Sequence, residues 1–119
     1  MKRFLGLVLV LAFVLALGAC SSEGQFDLDT EGEIVVGLEA AYAPFNWSTP
    51  TQNSFTVPLD GQPGFYVDGF DVVMAQNIAD QLGLDLVVRA IDWNGLILAL
   101  TSGEIDLIIA GMSQTAERA

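Results

Sequence analysis

The chain has 119 residues, fifteen acidic against four basic side chains and a formal charge of −11, a balance that argues against a nucleic acid as partner. With no histidine and a single cysteine it offers no imidazole or thiol metal site, no Ser-His or Cys-His nucleophile pair and no internal disulfide. The length suffices for one small core.

The first nineteen residues differ from the rest. Lys2 and Arg3 precede an apolar run from Phe4 to Leu17, which closes on Leu17-Gly18-Ala19-Cys20. A basic start, a short apolar middle and small residues at the break describe a secretory signal and not a spanning helix. Cys20, followed by the polar Ser21-Ser22-Glu23-Gly24, resembles a bacterial lipoprotein lipobox. That resemblance implies a signal peptide over 1–19 and a diacylglyceryl group on Cys20, the first residue after cleavage. The competing reading is an uncleaved anchor, or an ordinary signal whose cysteine is incidental. Cleavage would leave Arg89 and Arg118 against all fifteen acids. Residues 20–33, polar and acidic without an apolar period, read as a flexible tether.

Ile34-Val35-Val36-Gly37-Leu38 is the first strand by composition. It runs into a loop carrying Glu39, Tyr42, Phe45 and Trp47, in which Pro44 is incompatible with a regular ladder. Aromatic rings just past a strand either plug the sheet end or wall a ligand; composition favours core for Phe45 and leaves Tyr42 open. From Ser48 to Tyr66 the chain is rich in turn-forming residues, and Ser54–Val57 and Gly64–Val67 flank a Pro58-to-Pro63 turn set. This predicts a small irregular hairpin, read as a surface elaboration. Phe70, Val73, Met74, Ile78 and Leu82 then recur at helical spacing, with Asp71 as N-cap and Gly83 as the stop. A second strand over Leu84–Ile91, a second helix over Asp92–Leu100 and a third strand over Ile105–Ile109 complete the pattern, and Gly111 ends that strand.

Strand, helix, strand, helix, strand with crossovers of this length predicts an α/β fold built on a doubly wound parallel sheet of order 2-1-3. In that order the carboxyl ends of strands one and three flank a switch point, which sets Glu39–Phe45 beside Gly111–Arg118. Gly111 permits close backbone approach, Ser113 and Thr115 can donate hydrogen bonds, and Arg118 can grip a carboxylate through two parallel bonds. These residues form half a cradle for a small carboxylic acid; the plainer alternative is a capped surface helix with a solvated arginine.

Gly37-Leu-Glu39 with Tyr42-Ala-Pro44-Phe45, then Gly69-Phe70-Asp71-Val72, then Asp92-Trp93-Asn-Gly95-Leu96, and finally Gly103-Glu-Ile-Asp106 through Arg118 resemble the extracellular solute-binding proteins of family 3, the polar amino-acid receptors of ABC importers. The closing order Ala-Gly-Met-Ser-x-Thr-x-Glu-Arg is the most specific part. The resemblance implies that Arg118 binds the ligand's α-carboxylate, helped by Ser113 and the backbone at Gly111. It also implies that Tyr42 and Trp93 lay rings against the ligand and that Glu39 lies near its amino group or side chain. Thr115 would cap the next turn and Asp106 would be structural. Val73 departs from the acid that many relatives carry there.

Relatives are two-lobed. Residues 34–119 are therefore expected to form a partial first lobe of a periplasmic-binding-protein-like fold, truncated before the second. One wall of a cleft is expected to hold an amino acid poorly by itself. The function implied is that of a lipid-anchored receptor on the extracytoplasmic face of the cell membrane, passing a polar amino acid to an ABC permease, with no cofactor and no catalysis. The alternatives are a dehydratase on the same fold, acting on cyclic precursors of aromatic amino acids, or an inactive gene fragment. If Cys20 carries the anchor, Cys20→Ser moves the exported protein from the membrane to the soluble fraction, because lipid chains at about 0.8 kcal/mol per buried methylene are then lost. Retention of the serine variant on membranes after a carbonate wash would refute lipidation at this site.

Overall fold

The computed structural model describes residues 32–116. The signal segment 1–19, Cys20, the tether as far as residue 31, and Arg118 lie outside the described residues.

Along the chain run β1 (Glu33–Leu38), β2 (Ala41–Tyr42), β3 (Asn46–Thr49), β4 (Val57–Pro58), β5 (Tyr66–Asp68), α1 (Phe70–Leu82), β6 (Asp85–Ala90), a 3-10 turn (Trp93–Gly95), α2 (Leu96–Thr101) and β7 (Leu107–Ile108). β1 is the centre of a parallel sheet of order β6-β1-β7, the 2-1-3 order expected. Ile34 pairs with Leu86 and Val36 with Val88 on one side, and Val36 pairs with Leu107 on the other. Side chains alternate across β1, so its two faces need two covers. Ile34 and Val36 pack with Ala75 and Ala79 of α1, whereas Val35 packs against the cluster that holds Leu96 and Ala99 of α2. Helices thus cover both faces, which is what a doubly wound sheet requires.

α1 buries a different stripe from the one its large residues suggest. Val72, Ala75 and Ala79 face the sheet, while Phe70, Val73 and Met74 are exposed. Small side chains at these positions let the helix lie close on the sheet, and that approach decides the face over the size of any single residue. Asp71 is not the N-cap either: Gly69 holds that place, and Asp71 is buried in the first turn. The far end follows expectation, with Gly83 in a left-handed conformation and the Gly83 and Leu84 N–H groups donating to the Asp80 and Ala79 carbonyls.

The 48–66 region is largely exposed, as a surface elaboration would be, but Val57 and Leu59 stitch it to the core. Its expected hairpin exists, as β4 pairs antiparallel with β5, but β5 also pairs with β3 and β3 with β2 in a four-stranded sheet. Val57, Leu59 and Val67 are buried in the same cluster as Val88 and Leu96, and Leu59 forms a bridge to Val88 of β6. Burial of these three apolar side chains holds the exposed turns between them against the core. Arg89 adds a tie outside that core, donating to Asp60 from Nε at 3.0 Å and from its terminal nitrogen at 2.8 Å.

β7 is shorter than the strand expected over Ile105–Ile109 because a side chain takes over part of its ladder. The Asp106 N–H donates to the Val35 carbonyl at 2.9 Å, while the Val35 N–H donates to the Asp106 carboxylate at 2.8 Å. Asp106 is thereby structural, as its position implied.

Two glycines separate steric from dihedral cost. A Cβ at Gly69 would collide with the Phe45 carbonyl and crowd Asn46 at a φ of 126°, whereas one at Gly83, with φ of 70°, would meet nothing within 4 Å. Gly69→Ala is therefore expected to lower unfolding free energy by about 3 kcal/mol or more and Gly83→Ala by about 1 kcal/mol, read by urea denaturation. Equal losses at the two sites would contradict the close packing of Gly69 on the hairpin.

Candidate functional site

The parallel sheet delivers three chain segments to one edge. Glu39 leaves β1, Trp93 opens the turn after β6, and Gly111 follows β7. The carboxyl edge of a parallel sheet is where freed backbone groups and loop side chains converge, so this edge is the candidate site.

Between Glu39 and Trp47 the chain makes a tight β2–β3 hairpin where the sequence suggested a loop. The Phe45 N–H donates to the Tyr42 carbonyl at 2.9 Å, closing a turn around the cis Ala43–Pro44 peptide, so Pro44 sits outside the ladder. Phe45 is not core. It is 36% exposed and stacks on Tyr42, itself 48% exposed, with ring centroids 5.1 Å apart and an interplanar angle of 24°. The residue that turns inward is Asn46, at 0% exposure. Its Oδ1 accepts the Ala40 N–H and its Nδ2 donates to Asp71, both at 2.8 Å. An inward amide is tolerated because both its ends are spent.

Gly111 meets this ring pair. At φ of 61° its backbone lies so close that a Cβ would stand 3.1 Å from Tyr42 Cε1 and 3.6 Å from Phe45 Cγ. The switch-point argument placed these two segments side by side, and they touch. Glu39 and Trp93 are half-buried, and Ser113 is exposed, on the same edge. Among the described residues Arg89 is the one cation, and its contacts with Asp60 and the Glu104 carbonyl commit it to the chain's own loops. The Arg89–Asp60 pair is about one-third and two-fifths exposed, so it contributes little stability. The cradle residue able to meet a carboxylate, Arg118, lies outside the described residues.

A cavity of about 260 Å³ opens elsewhere, between residues 54–57 and Val73, Gln76 and Asn77 of α1. None of the five expected binding residues that are described lines it, and it is a dent between a loop and a helix. The dent has polar and aromatic lining of its own, Phe55 with Ser54, Thr56, Gln76 and Asn77, but none of the loops at the carboxyl ends of the parallel strands lines it, and those ends are where open α/β sheets place their ligands.

Sequence reasoning missed Asn46, and it assigned Asp71 to a cap. The sequence signal was slight: one amide inside an aromatic turn and one acid after Gly69-Phe70, neither at a spacing that announces a pair.

The family described as bacterial extracellular solute-binding proteins, family 3, matches residues 34–119. The arginine-binding extracellular protein ArtP of Bacillus subtilis is 31% identical over 118 residues, covering 99% of this chain and 41% of that protein. The cyclohexadienyl dehydratase of Pseudomonas aeruginosa is 32% identical over 121 residues, covering 98% of this chain and 40% of its own length. Among solved structures, the arginine-bound form of domain 1 from TmArgBP superposes with a TM-score of 0.61 at 35% identity, covering 76% of this chain and 65% of that one. The chain spans about two-fifths of the length of these curated relatives.

The contact between Gly111 and Tyr42 can be tested without a ligand. Gly111→Ala both strains a left-handed residue and presses the Tyr42 ring, so it is expected to cost about 1–2 kcal/mol in urea unfolding and to shift the near-ultraviolet aromatic spectrum. An unchanged aromatic spectrum would mean that the two segments do not touch in solution.

Proposed function

Because the chain belongs to the bacterial extracellular solute-binding proteins, family 3, we propose that its carboxyl edge binds a cationic amino acid of the arginine type and serves an ABC importer. The observation that carries this reading is the Gly111 backbone held against the Tyr42–Phe45 ring pair at the switch point. In this proposal Arg118 takes the α-carboxylate through two parallel hydrogen bonds, with Ser113 and the Gly111 backbone donating beside it. Tyr42 and Trp93 offer ring faces to the cationic side chain, and Glu39 supplies the opposing charge. The rest of the surface contributes little to this choice, since charge farther away than about 10 Å is screened at ordinary salt.

Two similarities support the arginine class: ArtP, whose name is that of an arginine-binding protein, and domain 1 from TmArgBP, solved in its arginine-bound form. The second of these also bears on the expectation that one wall holds a ligand poorly. A related first domain with arginine bound favours a first lobe that retains measurable affinity, and the second lobe would then add closure and exclusion of water. Cys20 would tether the receptor to the extracytoplasmic face of the membrane, over residues 20–33, within reach of its permease.

A dehydratase is the second reading, and the 32% identical Pseudomonas enzyme favours it. It needs a general acid or base at the edge, and Glu39 is the candidate. Formation of an aromatic product from a cyclic acid, lost in Glu39→Gln, would support catalysis over transport.

Calorimetric titration of the chain with arginine, glutamine and glutamate tests the first reading. Arginine is expected to bind best, and Arg118→Ala to weaken it by about 2 kcal/mol, roughly thirty-fold. Arg118→Lys should recover only part of this, because a point charge does not reproduce the planar fork. Binding by Arg118→Ala within about two-fold of the parent, roughly 0.4 kcal/mol, would remove this residue from the site.

A further inference from the structure

We infer that Asn46 and Asp71 are positioning residues for the ligand wall: their buried amide–carboxylate pair holds the Tyr42–Phe45 hairpin on the first turn of α1 and so sets the ring face that Gly111 approaches. This rests on the reading of the carboxyl edge as the ligand site, but part of its test needs no ligand.

Asn46 is 0% exposed and Asp71 3% exposed, so neither can touch a solute. Burying both would be costly unless the hydrogen bonds between them and around them are complete. Among the described residues no buried side-chain nitrogen or oxygen lacks a partner, and each bond of the pair fixes a different part of the hairpin. Asn46 Oδ1 accepts the N–H of Ala40, the residue between Glu39 and β2. Ala40 has a φ of 57°, a conformation that a non-glycine residue keeps only when its surroundings hold it there. The Ala40 carbonyl in turn accepts the Ser48 N–H at 2.8 Å, so the exit from β1 and the return strand are tied together. At the other end of the amide, Nδ2 donates to Asp71 Oδ2 at 2.8 Å. The Asp71 N–H donates to the Phe45 carbonyl at 2.9 Å, and the Phe70 N–H to the Pro44 carbonyl at 3.2 Å.

The hairpin is therefore held at its root by Ala40, at its tip by Pro44 and Phe45, and across its inner face by the Asn46–Asp71 bond. Apolar contacts would bury the same surface without prescribing an angle, because the hydrophobic effect has no direction and a hydrogen bond does. Tyr42 and Phe45 are themselves half open to solvent, so little packing holds the rings in place. Direction has to come from beneath them.

A reciprocal exchange separates positioning from bulk stability. Asn46→Asp keeps an acceptor for the Ala40 N–H but turns the donor toward Asp71 into a second carboxylate. The double variant Asn46→Asp/Asp71→Asn restores a donor and an acceptor with the direction reversed. Two readouts are taken on the full chain: the Tyr42 contribution to near-ultraviolet circular dichroism, defined by the difference from Tyr42→Phe, and calorimetric titration with arginine. Asn46→Asp is expected to lose the Tyr42 band and weaken arginine by about ten-fold or more, and the double variant to return both to within about three-fold of the parent. Ile34→Ala, which opens the separate core cluster at the other end of β1, is expected to lower stability while leaving the band and the affinity per folded molecule unchanged.

Retention of the band and affinity in Asn46→Asp overturns the inference. So does failure of the double variant to restore them, or parallel loss of both in Ile34→Ala. If Asn46→Asp does not fold, the double variant carries the test, and its failure to fold also overturns the pairing. If the parent chain does not bind arginine, the ligand reading fails and the Tyr42 band alone decides the positioning role.

Discussion

The first turn of α1 has no side-chain cap, and most of the site's geometry follows from how that turn is satisfied instead. A helix start leaves backbone N–H groups that need acceptors. Here Phe70 and Asp71 use the carbonyls of Pro44 and Phe45, while Val72 and Val73 share the Gly69 carbonyl. The hairpin is thereby part of the helix's own hydrogen bonding, and Gly69 lacks a Cβ at the point where one would strike the Phe45 carbonyl. A consequence is electrostatic. The N–H groups that make many helix starts into anion sites are already committed. A carboxylate at this edge would have to be met by the Gly111–Arg118 segment.

The antiparallel strands supply the second constraint. Without β4 and β5, the cluster around Leu38, Val88 and Leu96 would lose Val57, Leu59 and Val67, three buried apolar side chains. At roughly 1.5–3 kcal/mol for each fully buried side chain of this size, that is comparable to the whole stability of a small domain. The region is an essential layer that joins the hairpin to β6 through the Leu59–Val88 bridge and the Asp60–Arg89 contact. The Tyr42–Phe45 hairpin is thus anchored from two sides, by α1 beneath and by β3–β5 behind.

The parallel core was legible because its signals are local and redundant. Ile34–Leu38 and the Leu84–Ile91 run are rich in β-branched residues, Gly83 marks a helix end, and the alternation of elements allows few topologies once right-handed crossovers are required. One juxtaposition at the candidate site was legible to the same depth. The 2-1-3 order alone puts Glu39–Phe45 beside Gly111, and the contact between Tyr42 and Gly111 follows that order. The inward face of α1 was not legible: Phe70 and Met74 are larger and more apolar than Ala75 and Ala79, but the helix approaches the sheet through its small residues.

By itself, then, the sequence determined an α/β domain with a parallel sheet, its strand order, and the edge at which the Tyr42 and Gly111 segments meet. These depend on hydrophobic period and chain connectivity, both of which are written along the chain. Only the tertiary structure decided that Phe45 stacks outward on Tyr42 while Asn46 turns inward to Asp71, and that Val57, Leu59 and Val67 join the core. Those outcomes depend on partners twenty or more residues away in the chain, and on which buried polar atoms find one another. A hydrogen bond between an amide and a carboxylate leaves no period in the sequence, so the pairing that orients the ring wall becomes visible only once the fold has brought both groups out of water.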